Sequence, residues 1–300
     1  MDGITAESLN THYAHISTDN GFRLPKRKHT VAVNDIEIIS EWRVSTILDG
    51  LRATATGLDQ LPAWYLRLGA SVFCKPLARL FNLSLSNSIV PQQWKQASIC
   101  PVPKVATPTS HSDFRPISIT PVLSRIMERI VVREFIYPAL LTLPAALNFT
   151  DQYAFRPTGS TTAALTYILQ SVTYLLADNP YVSVIALDFS KAFDTVRHYS
   201  LEKIAQLDIP DSVYNWLVHF FCDRSHSTKY GEATFTNKSL SASIVQGSAV
   251  GSVAYVINTG DLVAVTPGNR ICKYVDNTYV IVPAANSHTC LLYTSDAADE

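Results

Sequence analysis

The sequence predicts a mixed α/β fold, and three observations support that prediction. The 300 residues are 47% hydrophobic and 16% charged, which provides enough apolar material for a substantial core in one or two domains. Several stretches repeat apolar residues at helical spacing, whereas others are short and rich in β-branched residues, as strands are. No internal repeat or low-complexity tract is visible in the sequence. The composition therefore excludes a disordered chain and a repeat protein.

The individual elements follow from apolar spacing and from proline positions. Residues 1–50 are polar and weakly periodic, and six prolines from Pro91 to Pro121 indicate an extended, loop-rich stretch. Helical spacing occurs in six stretches: 36–51, 63–85, 117–141, 159–178, 197–207 and 211–223. Strand patterns occupy 97–104, 181–187, 227–236, 240–246 and the two arms of a hairpin around Asp276. The helix 159–178 has Ser160, Thr161 or Thr162 as its N-cap, and the strand 181–187 is expected to be buried.

Basic residues are concentrated in two parts of a chain whose net charge is only −1. The first part carries six lysines and arginines with two acids: Lys95, Lys104, Arg115, Arg125, Arg129 and Arg133 with Asp113 and Glu128. The second part is Lys26-Arg27-Lys28-His29. A solvated helix face and a groove that follows a phosphate backbone both explain such clusters, so the sequence leaves both open.

The cysteines and the hydropathy indicate the cellular setting. Five scattered cysteines without a C-x-x-C motif are typical of reduced thiols. His219, Cys222 and His226 offer three zinc ligands, but a structural zinc site normally has four, which disfavours zinc binding here. No apolar run approaches the roughly 18 residues of a membrane span, and the N-terminal residues do not resemble a signal peptide. We therefore expect an intracellular protein, present in the cytoplasm and nucleus.

Two aspartates stand where carboxylates commonly meet a ligand. Asp188 follows the strand 181–187, and Asp276 lies at the tip of the hairpin, in "KYVDN". If the hairpin packs beside the strand, the carboxylates converge, and such oxygens bind Mg²⁺ together with water and substrate phosphates. Asp276-Asn277 also suits the centre of an ordinary type I′ turn, because both residues tolerate positive φ. Taken alone, this stretch favours the ordinary turn.

Five sequence blocks, taken in chain order, carry a family resemblance. They are "FRPISITPVLSRIMERIVV" (114–132), "DQYAFRPTGSTTAAL" (151–165), "VIALDFSKAFDTV" (184–196), "IVQGSAVG" (244–251) and "KYVDNTYVIV" (273–282). Together with "ATGLDQLPAWYLRLGA" and "FNLSLSNSIVPQQWKQASICPVPK" upstream, they resemble the reverse transcriptases of non-LTR (LINE-type, jockey-like) retrotransposons over residues 35–289. The resemblance implies an RNA-directed DNA polymerase of α/β (α+β) class with the fingers and palm of a right hand. It also implies Mg²⁺ or Mn²⁺ as cofactor, and an RNA template, a DNA primer and deoxynucleoside triphosphates as partners.

The resemblance assigns metal binding and sugar choice to particular residues. Asp188 and Asp276 match catalytic, metal-binding carboxylates, and the main-chain carbonyl of Phe189 is implied to share a metal. Phe193 matches the aromatic residue that lies under the incoming sugar and excludes a 2′-hydroxyl, although core packing is the commoner role of a phenylalanine.

Four further residues match positions that contact the incoming nucleotide. Gln246 and Gly247 correspond to a "QG" beside the nucleotide pocket. Lys104 and Arg115 resemble residues of the fingers that hold the triphosphate, for which the guanidinium fork of arginine is suited. Arg115 precedes a proline, so anchoring of a loop is the alternative role.

The chain departs from the family pattern at the hairpin. Where the family has "YADD", this chain has Val275, Asp276 and Asn277. The catalytic position of Asn277 therefore lacks a carboxylate, and we expect impaired catalysis. Ser252 stands where the family usually has proline, a smaller irregularity.

The resemblance also divides the chain. Residues 1–50 are expected to be a lead-in segment, 51–180 the fingers and the fingers/palm helices, and 181–289 the palm. Residues 290–300 do not resemble the family and are expected to be artefactual. The expectation is a fragment of a retroelement polyprotein in which the endonuclease and the thumb are missing.

Two other functions compete with polymerisation. A catalytically silent nucleic-acid-binding remnant of the same fold explains Asn277 and the basic clusters. A metal-dependent hydrolase that uses Asp188 and Asp194 is disfavoured, because a six-residue separation does not place both acids on one helix face. Asp194 is interpreted instead as an acid at a helix N-terminus.

Overall fold

Helices and strands are interspersed along the chain, and the predicted mixed α/β class is confirmed by the computed structural model. It describes residues 4–29, 39–142, 147, 149–156, 158–189, 192–194, 196, 198–231, 233–234, 236–242, 244–288 and 293–294. The helices are α1 (Ala6–Ile16), α2 (Glu41–Asp49), α3 (Ala63–Leu68), α4 (Ala70–Ser86), α5 (Val122–Val131), α6 (Tyr137–Ala139), α7 (Thr161–Leu176), α8 (Asp211–Phe221) and α9 (Ala249–Asn258). The strands are β1 (Gln96–Pro103), β2 (Phe114–Ile119), β3 (Val182–Asp188), β4 (Arg224–Tyr230), β5 (Ala233–Thr234), β6 (Lys238–Leu240), β7 (Val263–Ala264), β8 (Arg270–Tyr274), β9 (Asn277–Pro283) and β10 (Tyr293–Thr294).

The chain divides into two units, each of which is described by itself. The first unit comprises Met1–Phe135, Phe193–Glu202 and Ile209–Gly251. The second unit comprises Ile136–Ala192, Lys203–Asp208 and Ser252–Glu300.

The first unit is built on a sheet in which β1 lies between β2 and β4. β1 is antiparallel to β2 and parallel to β4, and β5 and β6 each pair antiparallel with β4. Helix α1 packs on β4 and contributes Leu9 and Tyr13 to a buried cluster with Ile99 and Phe114. These contacts hold the β1–β2 hairpin, which carries two of the predicted nucleotide-binding residues.

The second unit contains the predicted catalytic hairpin as part of an antiparallel sheet ordered β3-β9-β8. Apolar side chains of β8 and β9 form its core together with the turn before β7, in a cluster of Leu262, Ile271, Val280 and Val282. Helix α7 packs against all three strands, and its N-cap is Ser160, whose hydroxyl accepts a hydrogen bond from the Ala163 amide. The N-cap expectation for this helix is therefore confirmed.

The prediction that the strand ending at Asp188 is buried is wrong. Among the described strands β3 pairs only with β9 and forms an edge of the sheet, so Val184 remains 45% exposed. A run of β-branched residues indicates a strand, but it does not distinguish a central strand from an edge.

None of the described helices is long and apolar enough to cross a membrane.

Several element boundaries also differ from the prediction. Helix α1 was not predicted, because its buried face includes the polar Asn10, which bonds to Thr228 and to the Thr236 carbonyl. The helix predicted over 63–85 is interrupted at Gly69, and the one over 117–141 begins only at Val122, because Phe114–Ile119 pairs with β1. Residues 198–206 form a 3-10 helix, and the strand predicted over 240–246 ends at Leu240.

Candidate active site

In the second unit, the sheet register places the predicted catalytic residues side by side. Asp188, the last residue of β3, is the direct antiparallel partner of Asn277, the first residue of β9. Asn277 in turn pairs with Tyr274 of β8, and Asp276 lies in the loop between them. Side chains directly opposite in an antiparallel pair have Cβ atoms about 4.5–5.5 Å apart. The expected convergence of the β3 end and the hairpin tip therefore holds in the described structure.

The tip of the hairpin differs in one respect from the predicted turn. The two-residue loop is Val275-Asp276, and Asn277 already belongs to β9. Val275 has φ of 59°, whereas Asp276 and Asn277 have negative φ, a pattern of type II′ rather than type I′. The prediction of Asp276-Asn277 as the central pair is wrong by one residue, because Asn277 is paired with Asp188 and with Tyr274 as the first residue of β9. The left-handed conformation falls on a β-branched valine, which disfavours it strongly.

Charge at the tip is carried by two carboxylates near one amide. Asp188 and Asn277 are exposed and Asp276 is half-buried. The amide nitrogen of Asn277 donates a hydrogen bond to Asp276 Oδ1 over 3.3 Å. A carboxylate at position 277 cannot donate this bond, and it would stand directly opposite Asp188.

Tyr255 on α9 lies near both carboxylates and was not predicted. It is buried, and burial raises the pKa of its phenol, with further contributions from the charges of Asp276 and Asp188. A tyrosine in the apolar run of α9 looks like a core residue in sequence. The influence of the two acids on this phenol arises only in the folded chain.

The oxygen set at this edge fits a divalent cation of the Mg²⁺ type. No group of three or more His, Cys, Asp or Glu side chains in the described part of the chain is arranged to hold a metal ion. Mg²⁺ is, however, commonly held by one or two carboxylates, with water and substrate phosphates completing its shell. Asp188 and Asp276 supply two carboxylates. The Phe189 side chain packs against the apolar core of this unit and thereby fixes the backbone that follows Asp188.

In the first unit, three of the segments predicted to contact the nucleotide lie together. The Ile244 amide donates to the Phe193 carbonyl over 2.8 Å, and the Gln246 amide group donates to Asp194 Oδ1 over 2.8 Å. The Gln246 carbonyl accepts a hydrogen bond from the Ser118 amide of β2. Asp194 thus holds the Gln246 side chain, a contact that the sequence did not indicate.

Gly247 makes a turn that a side chain would obstruct. Its φ is 96°, and a Cβ at this position would lie 3.3 Å from the Ser118 carbonyl oxygen. Glycine reaches this backbone conformation without strain, whereas other residues rarely adopt it. The exposed loop at Gly247 therefore depends on the absence of a side chain.

A buried carboxyl group anchors this loop from behind and was not predicted. Glu128 of α5 is fully buried and accepts hydrogen bonds from the hydroxyls of Ser124 and Ser248. Ser248 also accepts from the Gly251 amide, so Glu128 connects α5 to the start of α9. Burial raises the pKa of Glu128, while the Ser248 bond and the buried Arg224 guanidinium oppose that shift. In the sequence, Glu128 looks like an ordinary acid on a helix that carries several basic residues.

Lys104 and Arg115 lie on the exposed β1–β2 hairpin, at neighbouring positions. Arg115 is the partner of Val102, and the Lys104 amide donates to the Asp113 carbonyl just beyond the paired strands. The Lys104 ammonium donates to the Ser112 carbonyl over 2.9 Å. Two cations on one exposed hairpin are compatible with the predicted phosphate contact.

Three of the candidate ligands and basic residues, His219, Lys95 and Arg125, make structural contacts. His219 accepts a hydrogen bond from the Val90 amide at Nδ1, and its Nε2 lies 3.2 Å from the ammonium of Lys95. Lys95 is buried, so it does not belong to an exposed phosphate-binding groove. Arg125 is also engaged, through Thr54 and the Ala55 carbonyl.

A family model described as reverse transcriptase (RNA-dependent DNA polymerase) matches residues 102–297. The chain is 28% identical over 235 residues to the RNA-directed DNA polymerase from mobile element jockey of Drosophila melanogaster, covering 76% of this chain and 25% of that protein. It is 26% identical over 227 residues to the probable RNA-directed DNA polymerase from transposon BS of the same species, covering 75% of this chain and 24% of that protein. The chain thus spans about a quarter of the length of these curated relatives.

Proposed function

Because this chain belongs to the reverse transcriptase family, we propose that it is the polymerase domain of a jockey-like, non-LTR retrotransposon and catalyses RNA-directed DNA synthesis. One observation carries this proposal. The register of the second unit sets Asp188 opposite Asn277 and beside the loop residue Asp276. The motif order of the sequence and the strand register of the structure both support this proposal.

In this proposal the sheet β3-β9-β8 belongs to the palm and the β1–β2 hairpin to the fingers. Asp188, Asp276 and the carbonyl of Phe189 would hold the catalytic Mg²⁺ or Mn²⁺. A divalent cation bound there supplies positive charge for the attacking primer oxygen and for the leaving pyrophosphate.

The reaction joins a deoxynucleotide to the primer. The bond between the primer 3′-oxygen and the α-phosphorus forms, the bond from that phosphorus to the pyrophosphate breaks, and the hydroxyl proton is released. Phe193 would limit the space beside the sugar, and Gln246 with Gly247 would border the nucleotide. Lys104 and Arg115 would neutralise the triphosphate, because an arginine fork and a lysine ammonium both suit phosphate oxygens.

The reaction would take place inside the cell, where the RNA template and the deoxynucleotides are found.

A second candidate function is nucleic-acid binding without catalysis, and the amide at position 277 favours it. Asn277 donates its hydrogen bond to Asp276 and adds no negative charge opposite Asp188. Such a remnant would bind RNA in a salt-dependent way, since phosphate contacts release counterions.

Primer extension distinguishes the two functions. The extended enzyme for this test continues the chain with the segment that follows the matched region in the jockey polymerase of Drosophila melanogaster. We expect Mg²⁺-dependent incorporation that Asp188→Ala abolishes, with RNA binding unchanged. Salt-dependent binding without incorporation, both in the parent and in Asn277→Asp, establishes the silent remnant. Incorporation by Asp188→Ala at the parental rate overturns the assignment of Asp188.

A further inference from the structure

The outer edge of the catalytic hairpin is occupied by a short segment that has no assigned role. Strand β8 pairs with β9 on one side, and on its other side Gln152 forms a parallel bridge with Lys273. The Lys273 amide donates to the Asp151 carbonyl over 2.7 Å, and the Tyr153 amide donates to the Lys273 carbonyl over 2.9 Å. The segment Asp151–Tyr153 thus lies alongside β8 and adds one paired position to the sheet. Its partner there, Lys273, is three residues before Asp276.

The Gln152 side chain reaches from this segment to the hairpin loop. Gln152 is 1% exposed, and its Oε1 accepts hydrogen bonds from the Ala154 amide over 2.9 Å and from the Val275 amide over 3.3 Å. Its amide nitrogen makes no hydrogen bond within the described structure. The side chain is therefore held through its acceptor oxygen, and one of the two amides it holds belongs to the loop.

An ion pair fixes the segment against the hairpin. The Lys273 ammonium lies 3.0 Å from Asp151 Oδ1, and both side chains are buried. The same ammonium donates to the carbonyls of Thr259 and Leu262. Burial raises the pKa of Asp151 and lowers that of Lys273, and the attraction between them opposes both shifts. Each charge therefore depends on the other, which ties the segment to β8.

Gln152 acts on a loop residue that needs external support. Val275 has φ of 59° and precedes Asp276 directly. A β-branched residue keeps a left-handed conformation only where its surroundings impose it. From these contacts we infer that Gln152 is a positioning residue for Asp276: it holds the Val275 amide, and the Asp151–Lys273 pair keeps Gln152 in register. This inference rests on the proposed function, because it assigns Asp276 to the metal site.

The test compares variants of Gln152 by two measurements on the full chain. Gln152→Met keeps the size but removes the acceptor, whereas Gln152→Glu keeps an acceptor oxygen. We expect Gln152→Met to accelerate hydrogen exchange of the Val275 amide, and Gln152→Glu to leave it protected. We also expect Gln152→Met to weaken Mn²⁺ binding, measured by electron paramagnetic resonance, by about tenfold or more, as loss of groups that orient metal ligands commonly does.

A lysine in the same unit provides the matched control. Lys203 donates to the Asn258 carbonyl and to Asp261, so it anchors the same turn as Lys273, and within the described part of the chain its hydrogen bonds do not go to the hairpin. Lys203→Met should lower the melting temperature and leave the Mn²⁺ affinity and the Val275 exchange rate as in the parent. Lys273→Met should change all three.

The outcomes separate this inference from the proposed function. Unchanged Val275 exchange in a folded Gln152→Met chain overturns the positioning role, as does an equal loss of Mn²⁺ affinity in Lys203→Met. If the parent itself binds no Mn²⁺, the proposed metal site fails, while the exchange measurement still decides whether Gln152 fixes the loop. Should Gln152→Met not fold, Gln152→Asn, whose shorter side chain withdraws the acceptor from Val275, gives the same comparison.

Discussion

Two loops that carry predicted site residues turn at positive φ, at Gly247 in the first unit and at Val275 in the second. Glycine adopts this conformation freely, whereas for an L-residue the conformation costs about 1–2 kcal/mol. The Gly247 loop is anchored through hydroxyl groups on the buried Glu128, and the Val275 loop through an amide oxygen and a buried ion pair. The unstrained loop at Gly247 is thus held by hydrogen bonds to one buried carboxyl group, whereas the strained loop at Val275 is held by a hydrogen bond and a buried ion pair.

The largest effect is expected next to the strained loop, from Asn277→Asp at the start of β9. The change adds a carboxylate opposite Asp188, and a positioned electrostatic group is commonly worth about 10²–10³ in rate. Primer extension by the extended enzyme should rise at least about tenfold at saturating Mg²⁺. Without Mg²⁺ the melting temperature of the variant should equal that of the parent or lie slightly below it, because three carboxylates then repel one another at the tip. Added Mg²⁺ should reverse any loss by binding to the folded state. A rate equal to the parental rate would make position 277 an ordinary strand residue.

In the first unit, the next effect concerns sugar choice at Phe193. Phe193→Val removes the ring that is proposed to border the 2′ position, so ribonucleotides should enter more readily. The ratio of deoxynucleotide to ribonucleotide incorporation should fall by about tenfold or more, the range over which pocket shape discriminates. Both enzymes should carry Asn277→Asp, because the higher expected activity of that variant makes the ratio measurable. An unchanged ratio would leave Phe193 as a packing residue.

The anchor of the Gly247 loop should make stability depend on pH. Because the folded-state pKa of Glu128 is raised above its unfolded value, the folded chain holds the proton between the two values. The stability from this group is present below the unfolded pKa and is lost as pH rises through the folded pKa, by up to about 1.4 kcal/mol per pH unit. Urea unfolding between pH 4.5 and pH 8, values set by the usual glutamate pKa of about 4.3, should show this slope in the parent. Glu128→Gln should flatten it; an equal slope in the variant assigns it to other groups.

Adding a methyl group at Gly247 should destabilise the first unit. Gly247→Ala forces an L-residue to φ of 96° and brings its Cβ to 3.3 Å from the Ser118 oxygen. We expect a loss of about 1–2 kcal/mol in the free energy of unfolding. Gly231, which also has positive φ but open space around it, is the control, and Gly231→Ala should cost less. Equal losses would show that the Ser118 contact is unimportant.

The smallest effect, and the opposite sign, is expected at the strained loop. Val275→Gly relieves about 1–2 kcal/mol of backbone strain but adds about 0.5–1 kcal/mol of chain entropy to the unfolded state. The net result should be a gain of about 0.5 kcal/mol, measured by urea unfolding. Val184→Gly on the exposed β3 should instead destabilise, since that valine has ordinary strand geometry. A loss of stability in Val275→Gly would mean that the valine side chain contributes more packing than its backbone costs.

Much of the fold and part of the site could be predicted from local pattern. Helical spacing indicated α7 and α8, strand patterns indicated β1, β3 and the β8–β9 hairpin, and motif order indicated Asp188 and Asp276. These features are local, because they depend on side chains a few residues apart. The roles of Lys104, Arg115, Gln246 and Phe193 remain predictions, although the described structure brings Phe193 close to Gln246.

What the sequence determined by itself is the set of chemical groups: one carboxylate at a strand end, one at a hairpin tip, an amide in place of a third, and a glycine in the loop before α9. Only the tertiary structure decided that β3 is an edge strand, that Val275 rather than Asn277 takes the left-handed turn, and that Asp194 holds Gln246. Only the tertiary structure revealed the hydrogen bonds of Glu128 to the Gly247 loop and of Gln152 to the Val275 loop, and the influence of the acids on Tyr255. The physical reason is that burial and hydrogen-bond partners come from residues far apart in the chain, by 120 positions between Glu128 and Ser248 and by 123 between Gln152 and Val275. No local spacing encodes such pairs, so they exist only once the chain has packed.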